Sequence, residues 1–155
     1  MATDLIARLL AAFATDLSKT PSMTLRAGNS IDSYGATIPF DPEVDVVCDD
    51  YLTKYPWGVS HLDVQSWRHY LPSLSAFALR HLDSNSLVTD ALIASLRPPD
   101  RDPPRLGSLN PAQEGVVREV LEALAYSSSS VWQAEACQAL EEWWIDGALY
   151  RPRSG

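Results

Sequence analysis

The sequence predicts an all-α fold, an irregular orthogonal bundle of about six or seven short helices joined by proline-rich loops. Apolar residues recur at helical spacing in several separate segments. Prolines and glycines interrupt these segments at short intervals, and no convincing alternating strand is present. A length of 155 residues suits one domain with one core. We place that domain at 1–150 and a flexible tail at 151–155.

The N-terminal half carries helical patterns separated by breaker residues. An amphipathic first helix is predicted from Asp4 to Leu17, and 22–40 reads as an ordered loop because glycine, asparagine and proline recur in it. Asp41-Pro42 is an N-cap followed by a proline at the first helical position, which predicts a helix to about Leu52. The next helix ends or kinks at Pro72, because proline lacks the N–H and clashes with the preceding turn.

The C-terminal half continues in the same manner. Apolar residues at helical spacing predict helices over 74–82 and 87–96. The stretch 97–107 contains four prolines and cannot be a regular helix. Asn110-Pro111-Ala112-Gln113 combines a cap, a first-position proline and a capping-box glutamine, so a helix begins there. Four serines then precede a last helix over 131–145.

The charge balance narrows the classes of partner. Twelve bases face 20 acids, for a formal net charge of −8. Nucleic acids and anionic membranes are therefore excluded as partners, because both are bound through Lys and Arg. Basic proteins are favoured, although many enzymes are also acidic. Cys48 and Cys137 lie far apart and indicate free thiols in a cytoplasmic protein. A signal peptide at 5–14 is rejected because Asp4 precedes the apolar run and no base does.

Several short motifs occur in the order typical of a known family. They are Tyr34-Gly35, Pro39-Phe40-Asp41, Trp57, Tyr70-Leu71-Pro72, Ser95-Leu96-Arg97-Pro98-Pro99, Leu109 to Gln113, and Trp143 or Trp144. The chain resembles an uncharacterised bacterial family of small acidic helical proteins, domain of unknown function DUF6714. The resemblance implies a helical fold and a bacterial cytoplasmic protein, and it implies no activity and no site residue. One place departs from the family pattern, since 62–67 lacks the usual phenylalanine-rich turn.

No motif of catalysis or metal binding is present. His61, His69 and His81 lack ligand spacing, and there is no phosphate-binding glycine loop or nucleophile elbow. Cys48 is expected to be structural, because neighbouring acids raise a thiol pKa and the residue falls on the apolar stripe of the predicted helix. We therefore expect no metal and no cofactor.

The most distinctive feature is the acidic stretch 41–50. On the predicted helix, Val44, Val47, Cys48 and Tyr51 would share the buried face, since each residue advances about 100°. Asp45 and Asp49 would form a like-charge pair that costs roughly 0.2–0.5 kcal/mol, so helix stability does not explain the pattern. A plain solvated face is one interpretation and a partner surface is the other. The predicted partner-binding residues are Glu43, Asp45, Val46, Asp49, Asp50, Tyr55 and Trp57.

Small size, acidity and the absence of reaction motifs favour a protein-binding role. The first hypothesis is an immunity protein that neutralises a cognate bacterial toxin by occluding its basic site. The partner would be a basic protein such as a secreted toxin domain, and the chain itself a monomer or homodimer. An enzyme with a dispersed active site, hydrolase-like and using His61 or His69, is the second hypothesis. A structural or adaptor module, dimeric through an exposed tryptophan, is the third.

Overall fold

The computed structural model describes residues 2–32, 35, 38–100 and 103–151, and every regular element among them is helical. The predicted all-α fold is confirmed, and six of its α-helices have seven residues or more. The predictions for Tyr34, for positions 101–102 of the proline-rich stretch and for 152–155 lie outside the described residues. The α-helices are α1 (Ala2–Ala12), α2 (Ala14–Ser18), α3 (Leu25–Asp32), α4 (Asp49–Lys54), α5 (Val64–Arg80), α6 (Leu87–Ser95), α7 (Pro111–Tyr126) and α8 (Gln133–Ala139).

Shorter elements complete the described part. A 3-10 helix at Pro56–His61, called the Trp57 helix below, lies between α4 and α5. A second 3-10 turn, Leu106–Ser108, precedes α7, and a π-helix, Leu140–Trp144, extends α8. The predicted first helix is broken at Phe13, which separates α1 from α2 and is fully buried. None of the helices in the described ranges is long and apolar enough to cross a membrane.

Helix α5 lies at the centre of the molecule and packs against α1, α2, α6 and α7. Trp67 and Tyr70 are its largest fully buried side chains. The prediction that a separate helix follows Pro72 is wrong, because α5 continues through it to Arg80. Residues on both sides of the proline, such as Leu71 and Leu74, are buried. Packing of both turns therefore outweighs the hydrogen bond that proline cannot make.

Buried charges tie the central helices together. The carboxylate of Asp16 in α2 accepts hydrogen bonds from Arg68 Nε of α5 at 3.0 Å and from Gln113 Nε2 of α7 at 2.9 Å. Glu142 of the π-helix accepts two from Arg97, each at 2.8 Å. These acids face inward, so they are excluded from any surface that meets a partner.

Helix α3 occupies part of the stretch that the sequence predicted to be a loop. It packs closely on the Trp57 helix, where two glycines face each other. A Cβ added to Gly28 would lie 2.6 Å from the carbonyl oxygen of Gly58, and one added to Gly58 would overlap the carbonyl of Leu25. Such a close backbone approach requires glycine at both positions. The contact fixes α3, and with it Arg26, against the Trp57 helix.

The C-terminal helices follow the prediction closely. Asn110 and Gln113 form the predicted capping box at the start of α7. The last helix begins at Gln133 and changes to a π-helix at Leu140, so the predicted element is confirmed with an altered end. Trp144 is buried and donates to the Leu96 carbonyl at 2.8 Å, whereas Trp143 is only partly buried.

Candidate protein-binding surface

The predicted helix over 41–52 is wrong in its first half. Residues 42–44 form a single turn, in which the N–H groups of Val44 and Asp45 donate to the Asp41 carbonyl at 3.1 and 2.7 Å. The chain then leaves the turn, and α4 begins only at Asp49. The Asp41 side chain does act locally as expected of a cap, since it accepts from the Glu43 N–H at 2.9 Å. The helix start is therefore present, but the helix does not continue.

The carboxylate of Asp45 interrupts the helix because it is drawn inward. Its side chain has 0% exposure and accepts from Arg26 of α3 through Nε at 3.0 Å and Nη2 at 2.9 Å. The Tyr51 hydroxyl donates to it at 2.7 Å and the Asp41 N–H at 2.8 Å. Asp45 was predicted to be an exposed binding residue, and the structure contradicts this prediction. A buried acid with four hydrogen bonds is a structural anchor.

The electrostatics of this anchor follow from its surroundings. Burial alone would raise the pKa of Asp45, but hydrogen bonds from Arg26, Tyr51 and the Asp41 N–H hold that pKa below its ordinary value. Burial, and next the hydrogen bond to Asp45, raise the pKa of the Tyr51 hydroxyl far above its ordinary value. Asp45 therefore stays ionised and Tyr51 stays a donor at neutral pH.

Arg26 also reaches the start of the same segment. Its Nη2 donates to the Pro39 carbonyl at 3.3 Å in addition to Asp45. One arginine thus holds both Pro39 and Asp45 against α3, and the backbone between them is tied at its two ends. We call residues 38–50 the acidic segment. The sequence offered no signal for Arg26, which lies 19 residues before its partner.

The outer side of the acidic segment is apolar and acidic. Phe40, Val44 and Val46 are exposed at 39%, 46% and 56%. The prediction that Val44 is buried is therefore wrong, and the exposure predicted for Val46 is confirmed. Glu43 and Asp50 are exposed as predicted, and neither has an ion-pair partner among the described residues.

Cys48 and Val47 were also expected on a buried face. Val47 is partly buried and packs against the core. Cys48 is an exposed free thiol in an extended conformation just before α4, so its predicted place on a buried stripe is wrong. Tyr51 is buried as predicted. The face that the helix model assigned to the core is thus split between core and surface.

Asp49 belongs to a local charge cluster. Its carboxylate lies 2.5 Å from Arg80 Nη2 and 3.1 Å from His81 Nε2, at the end of α5. The hydrogen bond from His81, and then that from Arg80, lower the pKa of Asp49. Asp49 is half exposed, but its charge is balanced within the chain. It contributes less to an acidic surface than Glu43 or Asp50.

Tyr55 and Trp57 lie in different surroundings. The Tyr55 ring packs edge-on against Tyr51 with centroids 5.1 Å apart, so it supports the core more than it faces a partner. Trp57 is 53% exposed and borders a cleft of about 210 Å³. This cleft lies between the Trp57 helix, α6 and the Asp32 end of α3, with Arg105 in its lining. None of the residues that line it belongs to the acidic segment.

The arginines are used internally. Every arginine in the described ranges forms an ion pair with an aspartate or glutamate. The surplus acids are therefore left on the surface without a basic partner among the described residues. These exposed acids without a basic partner are Glu43, Asp50, Asp63, Asp83, Asp90, Glu135, Glu141 and Asp146.

The histidines occupy separate places. His61 Nε2 lies 3.3 Å from Asp32, His69 Nδ1 lies 3.0 Å from the Asp16 carbonyl, and His81 pairs with Asp49. Within the described ranges, no group of three or more His, Cys, Asp or Glu could hold a metal ion.

Comparison with known proteins places the chain in a family. No curated protein and no solved structure matches it. A family model described as Family of unknown function (DUF6714) matches residues 1–148. The match covers all the described helices, from α1 to the π-helix. The chain belongs to the DUF6714 family, as its sequence motifs predicted.

Proposed function

We propose that this chain is a protein-binding module that binds a basic protein through the outer side of its acidic segment. One observation carries the proposal. Phe40, Val44 and Val46 are exposed in the same segment as the unpaired carboxylates of Glu43 and Asp50, on backbone that a buried ion pair holds in place. Fold stability does not require three large apolar side chains in water. Contact with a partner would bury them.

The anchor makes the surface suited to binding. A loop that is already ordered loses less conformational entropy on association than a flexible one. Asp45, Arg26 and Tyr51 supply that order from beneath, and none of them needs to touch the partner. The apolar side chains would form the dry centre of the contact, with carboxylates at its rim.

The acid surplus supports a basic partner. The net charge of −8 and the internal use of the arginines leave an outward negative field. Such a field raises association rates with basic proteins by about 10–10³, and added salt reduces the effect. The same field repels nucleic acids and anionic membranes.

Within this class we propose an immunity protein that acts in the bacterial cytoplasm. Toxins that act on nucleic acids or nucleotides need basic clefts, and an acidic, apolar plug would occlude such a cleft. This step from binding to neutralisation rests on class analogy. It predicts that the partner is toxic when expressed alone.

The test is co-expression with the product of the adjacent gene. We expect that product to stop growth alone, and this chain to restore growth and co-purify with it. The double variant E43K/D50K should lose most of the protection, because it reverses the two acids of the acidic segment that are both exposed and unpaired. The control D83K/E141K reverses two exposed, unpaired acids elsewhere and changes the net charge equally. If both double variants lost protection equally, the acidic segment would not be part of the interface. If the product of the adjacent gene were harmless and formed no complex with this chain, the immunity role would be contradicted.

The enzyme and adaptor alternatives stay predictions. If the chain were a hydrolase, its active site would best fit the cleft beside Trp57. Ser60 and Asp32 line this cleft, and His61 pairs with Asp32 at 3.3 Å. Turnover abolished in H61A would support it. A homodimer through the exposed Trp57 would appear as a mass that rises with concentration.

A further inference from the structure

A second groove lies on another part of the surface, where two turns are tied side by side. The Val131 N–H donates to the Leu82 carbonyl at 2.9 Å, and Trp132 Nε1 donates to the Ser84 carbonyl at 2.9 Å. These bonds join the turn before α6 to the turn before α8. Between them runs a groove of about 460 Å³ whose lining includes Ser86, Leu87, Asp90, Val131, Trp132 and Glu135.

Two large aliphatic side chains are exposed in this one groove. Leu87 is 53% exposed and Val131 is 52% exposed, while Trp132 beside them is only 6% exposed. The backbone bonds to Leu82 and Ser84 fix the turn without using either aliphatic side chain. Packing within the chain therefore does not account for Leu87 and Val131.

The charge of the groove selects its occupant. Asp90 and Glu135 line it, both are exposed, and neither has an ion-pair partner among the described residues. Among the described residues, the lining of this groove contains no Lys, Arg or His. A second copy of this chain fits poorly, because a two-fold interface would bring these acids together. A segment that carries Lys or Arg beside an apolar side chain complements both features.

We propose that this groove binds a basic protein segment, with an aliphatic or aromatic side chain seated between Leu87 and Val131 and flanking Lys or Arg facing Asp90 and Glu135. The site is separate from the acidic segment, and the inference does not rest on the proposed function. A smaller neighbouring groove shares Ser86 and Leu87 and includes Asp49 in its lining.

The probe is a fluorescein-labelled peptide, Lys-Lys-Leu-Lys-Ile-Lys-Lys, titrated against the full chain at low salt. We expect saturable binding and backbone amide shifts concentrated at 86–90 and 131–135. The variant L87S/V131S should bind about tenfold more weakly, because the seated side chain loses its apolar contacts. L149S is the matched control, since Leu149 is an exposed leucine outside the groove.

Three further arms make the outcomes distinct. A peptide with both apolar residues changed to serine should bind at least several-fold more weakly, and D90K/E135K should abolish binding. E43K/D50K should still bind the peptide. This variant therefore tests the proposal for this groove separately from the proposal for the acidic segment. The proposal would be overturned if the serine peptide bound as tightly as the original peptide, or if the amide shifts fell outside the groove. It would also be overturned if the chain formed a dimer that L87S/V131S abolishes. Unchanged unfolding midpoints of the variants would show that the fold is intact.

Discussion

The buried pair of Asp45 and Arg26 gives the sharpest stability prediction. The substitution D45N keeps the shape of the side chain but removes its charge and one acceptor oxygen. The four donors now aimed at the carboxylate, at 2.7 to 3.0 Å, would then face one oxygen and one NH₂ group. Loss of one partner of a fully buried pair costs about 3–5 kcal/mol. The Arg26 side chain is 17% exposed and can recover some water, so we expect a loss of about 2–3 kcal/mol.

The assay for D45N combines urea unfolding with hydrogen exchange. A loss of this size corresponds to roughly 5–10 °C in Tm for a chain of this length. Compared with the wild type, amide exchange in D45N should become faster first in the acidic segment, because the pair anchors that segment. D50N is the matched control, because Asp50 is an exposed acid of the same segment and should change stability by less than about 0.5 kcal/mol. If D45N unfolds like the wild type and the segment keeps its protection, the pair does not anchor it.

Three other predictions concern glycines and pH. G58A should lower the free energy of unfolding by about 2–3 kcal/mol, because its Cβ would overlap the Leu25 carbonyl. G115A has open space around its Cβ within α7 and should raise that free energy by about 0.5–1 kcal/mol. Thermal melts of both variants measure the difference, and the opposite order of stability would contradict the close approach. The pKa of Asp45 is lowered in the folded state, so the stability that its charge contributes is present above about pH 4 and is lost as pH falls. The difference in free energy of unfolding between wild type and D45N should therefore shrink from pH 7 to pH 3. A difference that stays constant over this range would refute the prediction. The pKa of the Tyr51 hydroxyl is raised in the folded state, so above about pH 10 the folded chain keeps the hydroxyl proton and the unfolded chain loses it. Between pH 9 and pH 11 the stability of the wild type should therefore fall more than that of Y51F. Urea unfolding at the two pH values measures this difference.

Local signals were enough to predict most helices. Asn110, Pro111 and Gln113 form the helix start with a capping box that the sequence indicated. These features act within one turn, so they can be read without knowledge of the rest of the chain. The apolar positions of α7, such as Val117 and Leu121, are fully buried as their spacing required.

The acidic segment was misread because a distant residue decides its conformation. Asp41-Pro42 does start a turn, but Val46 and Val47 have low helix propensity and the Asp45 carboxylate pairs with Arg26. A buried pair is worth more than the few tenths of a kcal/mol per residue that favour a helix. Sequence reasoning found the exposed acids Glu43 and Asp50, and it could not find their anchor.

Helix α3 was missed for a related reason. Gly28 and Asn29 fall in its middle, and both are typical of loops. Gly28 lies there because the helix must pass against Gly58 of the Trp57 helix. Only the tertiary contact shows that the glycine serves packing, and without α3 the position of Arg26 could not be predicted.

The central claim is that the acidic segment meets a basic partner, and its most direct test is the salt dependence of association. Stopped-flow mixing of this chain with the product of the adjacent gene, purified for the purpose, gives the rate constant from 20 mM to 500 mM salt. We expect a steep fall for the wild type and for D83K/E141K, and a slower, much flatter profile for E43K/D50K. Association that is independent of salt, or equal in the two double variants, would contradict the claim.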